Sequence, residues 1–346
     1  MIHPHEHHHG RDSDAEPRNP EDPGGSGWRR WLGRLLRILL VAVCIAYAVW
    51  NVDPTALART LGGIDPLRVT LVTLFTGLGY IALAFRLRHL SHHRLPLGTG
   101  LAASLVALGV NNLLPAKLGE VAKALYLRER GAMPFSESVV IVGWERFFDL
   151  NVLVLMALAG ASSYLDPSLL APAVVALLVA WGMAWGVIRF ATPVRSAIAR
   201  LPSSRLRAFL HDVHAHLDTR MVRGTLLGTA VLSVVVWLLY AGGFWLVLAW
   251  IFELRLTTAE ILVVFVVAAS GMALPSSPGA LGVYEAAIVL ALGWFGVARE
   301  QALAAALVMH AIQYLPTTLL ALGVLARSRI RLDRLRPRSA GAWPAK

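Results

Sequence analysis

The sequence contains a single cysteine, Cys44, which lies within an apolar run. One cysteine cannot form an internal disulfide, so a disulfide-stabilised secreted fold is excluded. Charged residues are also scarce, at 15% of the chain compared with about a quarter in soluble globular domains. This scarcity of charge argues against an ordinary soluble domain and directs attention to the apolar residues, which make up 56% of the chain.

The P-loop motif of nucleotide hydrolases is missing as well. Without a G-x-x-x-x-G-K-[ST] loop, the chain is not expected to hydrolyse nucleotides as a P-loop protein. Five histidines precede residue 10, and we favour a solvated tail that binds metal only incidentally over a metal site. We therefore expect no cofactor and no structural metal.

The sequence does contain a series of apolar blocks long enough to cross a bilayer, which takes about 20 residues per helix. They predict an all-α integral membrane protein with six full transmembrane helices. The predicted spans are 35–52, 67–85, 136–160, 169–188, 225–250 and 301–325.

Two further apolar stretches, 101–114 and 261–274, have 14 residues each and are too short to cross comfortably. Each ends in a proline motif, NNLLPAKLGE or LPSSPGALGVYE, and a second short helical stretch follows. We interpret each as a re-entrant helical hairpin, two half-helices that meet at a broken turn. Such a turn is tolerated at membrane depth only where protein or a wet cavity surrounds it, so it implies a site. Eight full spans, with both hairpins crossing, is the alternative.

Basic residues are unevenly distributed between the loops. With six spans and two hairpins, 27 of the 32 Lys and Arg residues fall on the side of both termini and 4 on the opposite side. This bias predicts that both termini are cytoplasmic in a multi-pass protein of the cell membrane. The count assigns Arg86, Arg88 and Arg94 to a loop. Because basic residues occupy short loops between apolar blocks, the net charge of +11 does not indicate a nucleic-acid partner.

The chain divides into three regions. We predict a disordered, His-rich cytoplasmic tail at 1–34, a membrane domain at 35–325 and a basic cytoplasmic tail at 326–346. Within the membrane domain, the connector 191–224 is predicted to lie on the inner surface as a basic amphipathic helix. Three of its residues are expected on a solvated face: His211, His214 and His216.

The membrane domain also repeats itself. Glu120 follows the first proline motif and lies 26 residues before Arg146, while Glu285 follows the second and lies 25 residues before His310. The segments run in opposite directions in the predicted topology, which indicates an inverted repeat. Transporters built on this plan place their site at the repeat interface near the membrane midplane. The repeats are about 67–160 and 225–325.

Charged residues inside a predicted span are the first candidates for a site. Glu145, Arg146 and Asp149 can share one helical face, and charge within a membrane is costly enough to indicate function by default. Arg146 is suited to bind a phosphate through its planar guanidinium group. The alternative is that the three residues neutralise one another and tie helices together.

The two hairpin turns supply the other candidates. The half-helix after Pro115 offers free backbone N–H groups to an anion, the alternative being an interfacial turn whose lysines follow the charge bias. Ser276 and Ser277 are expected to cap a half-helix or to bind a ligand. Glu285 is expected to receive a proton or an ammonium group, or to be a satisfied carboxyl. The first turn contributes Asn111, Asn112, Pro115, Lys117, Gly119, Glu120 and Lys123, and the second Pro275, Ser276, Ser277, Pro278, Gly279, Gly282 and Glu285.

Three motifs in order, NNLLPAKLGEVAKALYL, ERFFDL and PSSPGALGVYEAA, resemble the signature regions of the lysylphosphatidylglycerol synthase transmembrane family, also called flippase-like. The resemblance covers roughly residues 35–325. Lys123 stands where the family often has arginine, and Ala280 where glycine is common. Bifunctional members carry a soluble acyltransferase domain after the membrane part, and no such domain is expected here. The resemblance therefore implies lipid translocation rather than lipid synthesis.

These observations favour a flippase that moves a phospholipid, or a related anionic or aminoacylated lipid, across the cytoplasmic membrane. No catalytic residues are assigned, and the protein is not expected to be an enzyme. Two alternatives stay open: an intramembrane enzyme acting on a lipid-linked substrate, and a membrane partner of a separate lipid-modifying enzyme. The expected partners are membrane lipids and, in the second alternative, that enzyme.

Overall fold

A computed structural model of the chain describes residues 25–114, 117–164, 166–189, 191–220, 223–274 and 277–328. These residues form helices joined by turns, with no strand among them, which confirms the predicted all-α class. The histidines before residue 10 and the basic residues after 328 lie outside the described part of the chain.

Capping aspartates begin two helices in the first half of the protein. Asp53 and Asp65 each accept a hydrogen bond from the backbone N–H two residues later, and a proline follows each aspartate at the first helical position. Hydrogen bonds from the Thr55 side chain and backbone lower the pKa of Asp53. The helices of this half are α1 (Gly25–Val49), α2 (Pro54–Gly62), α3 (Pro66–Leu90), α4 (Leu97–Leu113), α5 (Gly119–Arg130) and α6 (Phe135–Ala161).

Helix α1 begins at Gly25 rather than at residue 35, so the end of the predicted tail is helical. The segment WRRWLGRLLR is composed mostly of good helix formers, and tryptophan and arginine are typical of the membrane interface. Trp28 and Trp31 are both exposed on this helix. The first candidate span, Trp31–Val49, is therefore part of a longer helix that begins before it.

The second half contains three long helices, two connector helices and a second pair of short ones. The connector, predicted as one amphipathic helix, is two helices, because Pro202 lies between them and interrupts the backbone hydrogen bonds. The elements are α7 (Pro167–Arg189), α8 (Ala191–Ala199), α9 (Ser204–Arg220), α10 (Arg223–Trp245) with a π-helical continuation (Leu246–Ile251), α11 (Thr258–Ala273), a 3-10 turn (Pro278–Ala280), α12 (Val283–Trp294) and α13 (Arg299–Ser328).

One histidine of the connector does not lie where the sequence analysis expected it. His214 was expected on a solvated face, but it is buried, with 3% of its surface exposed. The reason is that α9 packs against α6, which covers this side of the connector.

Four of the described helices are long and apolar enough to cross a membrane. Helix α6 has 27 residues, or about 40 Å at 1.5 Å per residue, but it carries several charges. Helices α4, α11 and α12 are apolar but shorter. The protein is therefore an all-helical membrane protein with long and short apolar helices. The four candidate spans are Trp31–Val49, Pro66–Leu90, Gly224–Ile251 and Arg299–Ser328.

Helices α3–α6 and α10–α13 form two groups whose mutual packing is symmetric. Helix α3 packs on α10, the first members of the two groups. The short helix α4 packs on α13, and the short helix α11 packs on α6. In the same way, α3 contacts α13 and α10 contacts α6. The second helix of each group thus lies on the last helix of the other group.

Candidate functional site

A series of ion-paired side chains with alternating charge, which we call the ion-pair series, connects α3, α5 and α6. Its centre is Arg86 of α3, which is fully buried. Arg86 Nη1 lies 2.5 Å from Oδ1 of Asp149, and Nη2 lies 3.6 Å from Oε1 of Glu145. Arg86 Nη1 also donates a hydrogen bond to the Ser233 hydroxyl at 3.1 Å, which connects the ion-pair series to α10.

At each end, the ion-pair series reaches a charged residue of α5. Lys123 Nζ donates to Oε2 of Glu145 at 2.5 Å. On the other side, Arg146 Nη2 lies 3.1 Å from Oδ2 of Asp149, and Nη1 lies 3.6 Å from Oε1 of Glu120. Buried charges need such compensation, and the positive and negative charges of the ion-pair series cancel. The order is Lys123, Glu145, Arg86, Asp149, Arg146 and Glu120.

The position of Arg86 corrects the sequence analysis, which placed this residue in a loop. Helix α3 continues to Leu90, so Arg86 lies within the helix and not beyond it. A signal was present: Tyr80, Leu83 and Leu87 are buried at helical spacing, and Arg86 falls on the same face. Arg86 is therefore a charge of the interior and does not count toward the loop bias.

A central cavity of about 240 Å³ lies between the two groups of helices. Arg146 and Asp149 line it from α6, and His310 and Gln313 line it from α13. The Arg146 side chain is 55% exposed, so part of its guanidinium group is open to this space. Most of the remaining wall is apolar or aromatic and includes Leu83, Leu108, Val236, Phe244, Phe265 and Met272.

The two hairpin turns meet at a second, smaller cavity of about 120 Å³, which we call the turn cavity. Asn111 and Lys117 line it from the first turn, and Ser277 and Gly279 line it from the second. Asn112 lines both cavities, so the turn cavity adjoins the central cavity. The structure thus brings together two segments that are far apart in the sequence.

The two asparagines of the first turn satisfy backbone and hydroxyl groups. Asn111 Oδ1 accepts a hydrogen bond from the Gly119 N–H at 2.8 Å, which occupies one free donor at the start of α5. Asn112 Nδ2 lies 3.0 Å from the hydroxyl groups of both Thr317 and Thr318 on α13. Asn111 therefore satisfies a backbone group at the first turn, whereas Asn112 links α4 to α13.

Glycine is required at two positions of the second turn. Gly279 has φ +64° and Gly282 has φ +84°, and both values favour a residue without a Cβ atom. A Cβ at Gly282 would lie 2.7 Å from Ile45 of α1. Ser277 does not cap the following helix as expected, because its hydroxyl donates to the Leu281 carbonyl at 2.7 Å.

A carboxylate–histidine pair joins α12 and α13. Glu285 Oε1 lies 2.5 Å from Nδ1 of His310, and Oε2 accepts a hydrogen bond from the Gly282 N–H at 2.7 Å. The His310 ring makes edge contacts with the rings of Tyr284 and Tyr314. The other ring nitrogen, Nε2, is buried and has no hydrogen-bond partner among the described residues.

The carboxylate–histidine pair occupies the place in the second group that Glu120 and Arg146 occupy in the first. The sequence spacing of 25 and 26 residues therefore corresponds to a side-chain contact in each group. The spacing is visible in the sequence, but His310 was not among the predicted site residues. The spacing was the available signal for it.

The predicted site residues separate into those that line a cavity and those that support the lining residues. Lys123 and Glu145 are buried against each other and line neither cavity. Pro115, Pro275 and Ser276 lie outside the described residues. Besides His310 and Gln313, the residues of the site that were not predicted from the sequence are Arg86, Ser233, Tyr284 and Trp237, whose Nε1 donates to Asp149 Oδ1 at 3.0 Å.

Within the described part of the chain, no group of three or more His, Cys, Asp and Glu side chains is placed to hold a metal ion. A comparison with curated proteins yields no match. The family described as the lysylphosphatidylglycerol synthase TM region matches the sequence over residues 34–321, which is most of the chain and includes both cavities. This match agrees with the resemblance of the three motifs and points to a function connected with membrane lipids. The chain belongs to the lysylphosphatidylglycerol synthase TM region family.

Proposed function

We propose that the protein moves a phospholipid, or a related anionic or aminoacylated lipid, across the cell membrane without changing it chemically. The observation that carries the proposal is the central cavity, where Arg146 and Asp149 face His310 and Gln313 across the interface of the two helix groups. Charged groups at membrane depth are costly, and a cavity that holds them is suited to a polar ligand. The apolar remainder of the wall suits the less polar part of a lipid.

The proposed architecture has six full spans, two re-entrant hairpins and an inverted repeat, with both termini in the cytoplasm. Helices α4 and α5 have 17 and 12 residues, so at 1.5 Å per residue each is shorter than the hydrocarbon core of about 30 Å. The turn cavity between the hairpins and the symmetric packing of the two groups support this arrangement. An alternating-access transporter of this kind carries its site between the repeats.

In the proposed mechanism, Arg146 binds the phosphate of the lipid. A guanidinium group presents paired N–H donors to phosphate oxygens, and the Arg146 side chain is the more exposed member of its ion pairs with Asp149 and Glu120. Lys117, on the adjoining turn cavity, supplies a second positive charge. Lys123 is paired with Glu145 and supports the site without lining either cavity. The acyl chains stay in the bilayer, so the cavity needs a lateral opening for the head group.

The test is reconstitution of the purified protein in vesicles with labelled phospholipids, followed by mass analysis of the lipids. We expect lipid movement with no change in lipid mass. The variants Arg146→Lys and Glu285→Gln should each reduce the rate about tenfold or more, because Lys cannot form the paired bonds and Gln has one acceptor oxygen where Glu285 has two, for His310 and Gly282.

Matched controls come from an exposed ion pair far from the cavities. Arg68 Nη1 and Glu253 Oε1 are 2.8 Å apart, and Arg68→Lys and Glu253→Gln make the same chemical changes there. Both should leave transport at the wild-type rate. The site assignment is wrong if Arg146→Lys and Glu285→Gln unfold at the wild-type temperature and also move lipid at the wild-type rate.

A second candidate function is an intramembrane enzyme, which the carboxylate–histidine pair favours. Glu285 orients the His310 ring and leaves Nε2 free, as in a general base. No described serine, threonine or cysteine side chain is hydrogen-bonded to His310, so the base would have to act on the ligand itself. A lipid product of altered mass in the vesicle assay would favour the enzyme. Lipid movement only after addition of a lipid-modifying enzyme would favour the third candidate, a membrane partner.

A further inference from the structure

We propose that the turn cavity is a second phosphate subsite and that the ligand is a lipid whose head group carries a diphosphate. In this arrangement, one phosphate lies at Arg146 in the central cavity and the other at Lys117 in the turn cavity. The inference rests on the proposed transport function and narrows its substrate class. Two observations carry it: a cation without an ion pair on the wall of the turn cavity, and a second cation on the wall of the cavity beside it.

The cation of the turn cavity is Lys117. This residue is exposed and lines the cavity, and its ammonium group makes no ion pair and no hydrogen bond to another described residue. The described residues of the cavity wall include no aspartate and no glutamate. A lysine in a cavity without carboxylates has its donors available to an anionic ligand.

The backbone at this cavity is strained on both sides. Lys117 has φ +52° and Ala280 has φ +58°, and the two residues line the turn cavity from the first and the second turn. The left-handed conformation is unfavourable for a residue with a Cβ atom, and such residues cluster at ligand sites. A lysine that only followed the loop charge bias would gain nothing from this conformation. The strain therefore supports a ligand-binding position for Lys117.

Asn111 adds a neutral donor to the wall of the turn cavity. Its Oδ1 accepts the Gly119 N–H, which orients the amide, while its Nδ2 makes no hydrogen bond to another described residue. The Ser277 hydroxyl, by contrast, already donates to the Leu281 carbonyl. Phosphate oxygens are acceptors, so the Lys117 ammonium and the Asn111 amide N–H groups suit a phosphate.

The second cation, Arg146, lines the central cavity and not the turn cavity, whereas Lys117 lines only the turn cavity. Asn112 lines both, so the two cations face adjoining spaces. The charge of Arg146 acts on Lys117 more strongly than the opposite charge of Glu120, which is paired with Arg146. Like charges repel, and a diphosphate that extends from one cavity into the other compensates both cations. A single phosphate in the central cavity leaves Lys117 without an anion.

The test uses the full-length protein in vesicles with three labelled probes that share the same acyl chains. Diacylglycerol diphosphate carries two phosphates and phosphatidic acid carries one. Phosphatidylethanolamine carries one phosphate and an ammonium group, for which the partly exposed Glu120 side chain is the candidate partner. We expect the diphosphate lipid to move about tenfold faster than either monophosphate lipid, because only the diphosphate supplies an anion to Lys117.

The variant Lys117→Met should bring the ratio of the diphosphate rate to the phosphatidic acid rate close to one. Lys117→Arg, which keeps the charge, should retain most of the ratio. Arg59→Met, at an exposed position of α2 outside both cavities, also removes a positive charge and should keep the wild-type ratio. General damage to folding lowers both rates together, so the ratio reports recognition. Because the wild-type ratio is itself a test, a Lys117→Met variant that does not fold does not remove it.

The outcomes distinguish this inference from the proposed function. Equal rates for the three probes, or a preference for phosphatidylethanolamine, would overturn the inference and leave lipid transport standing. If inorganic phosphate raises the rate of phosphatidic acid to that of the diphosphate lipid, the turn cavity binds a free ion, and the inference is overturned as well. If none of the three probes moves, both the inference and the proposed function fail.

Discussion

The charged residues of α5 and α6 have two different environments, and this difference assigns them different roles. Lys123 and Glu145 are both almost completely buried and face each other, whereas the Arg146 side chain is half-exposed to the central cavity. The sequence shows that charges occur in an apolar region, but it does not show which of them face a ligand. We therefore propose a supporting role for the interior pair and a binding role for Arg146.

We predict that Lys123→Met destabilises the protein by about 3–5 kcal/mol, because it leaves Glu145 without its closest partner. The double variant Lys123→Met/Glu145→Met removes a whole ion pair, and the remaining residues of the ion-pair series have no net charge. It should recover most of this loss and still transport lipid. Thermal unfolding in detergent and the vesicle assay measure the two effects.

The control for this pair is Arg59→Met on α2, where the residue is exposed and the effect should stay within about 0.5 kcal/mol. A double variant that is as unstable as Lys123→Met, or that folds but does not transport lipid, would contradict the supporting role.

Arg86 shows why some site residues could not be assigned from the sequence. Its neighbours Arg88 and His89, together with the histidines at 92 and 93, make the segment look like the end of a span. Only the helical spacing from Leu83 places Arg86 on the buried face, and only the tertiary structure brings its partners, Ser233 of α10 and Asp149 of α6, within reach. The local sequence pattern therefore predicted the charged residues of α6, whereas Arg86, their common partner, could be identified only from the tertiary structure.

The short helices were predicted more completely than their mutual contacts. Prolines and glycines mark where a helix stops, so α4, α5, α11 and α12 agree closely with the stretches expected from the sequence. That the two turns lie together depends on how α4 packs on α13 and α11 on α6. No local motif encodes such a contact between segments that are far apart in the chain.

We predict that cysteines introduced at Lys117 and Ser277 can be joined by a short bifunctional thiol reagent, because both positions line the turn cavity. The experiment uses a Cys44→Ala background, in which the natural thiol is absent. Cross-linking is measured by the altered mobility of the protein on a denaturing gel.

The matched control pairs the cysteine at Lys117 with one at Ser163, in the turn after α6 and outside both cavities. This control pair should not cross-link. If both cysteines of the first pair react singly but are never joined, the two turns do not meet and the hairpin arrangement is wrong.

Basic residues are unevenly distributed between the two sides of the proposed membrane topology, and this asymmetry predicts the orientation of the protein. The class of protein and its family followed from the sequence, since apolar blocks and three ordered motifs are visible without coordinates. Orientation depends on loop charge, and removing buried Arg86 and Lys123 from the count leaves most basic residues on the side of both termini.

We predict that a cysteine at Ser163 reacts with a membrane-impermeant thiol reagent only from outside the cell, and a cysteine at Ser204 only from the cytoplasm. Both residues are exposed, so labelling reports the side of the membrane and not burial. Labelling of intact cells and of inverted vesicles gives the two measurements. A cysteine at Ser163 that reacts only from the cytoplasm would rule out the proposed inverted repeat.

The exchange of half-helices between the two groups has a consequence for biosynthesis. The surface of α4 that holds Asn112 is covered by α13, and Gly109 lies against Ala321 of that helix. As the chain leaves the ribosome, α4 is inserted long before α13 exists, so its polar residues wait without their partners. The central cavity is therefore completed only when α13 has been inserted. We expect a chain that terminates before α13 to leave Asn112 without its threonine partners and to be degraded by membrane quality-control proteases.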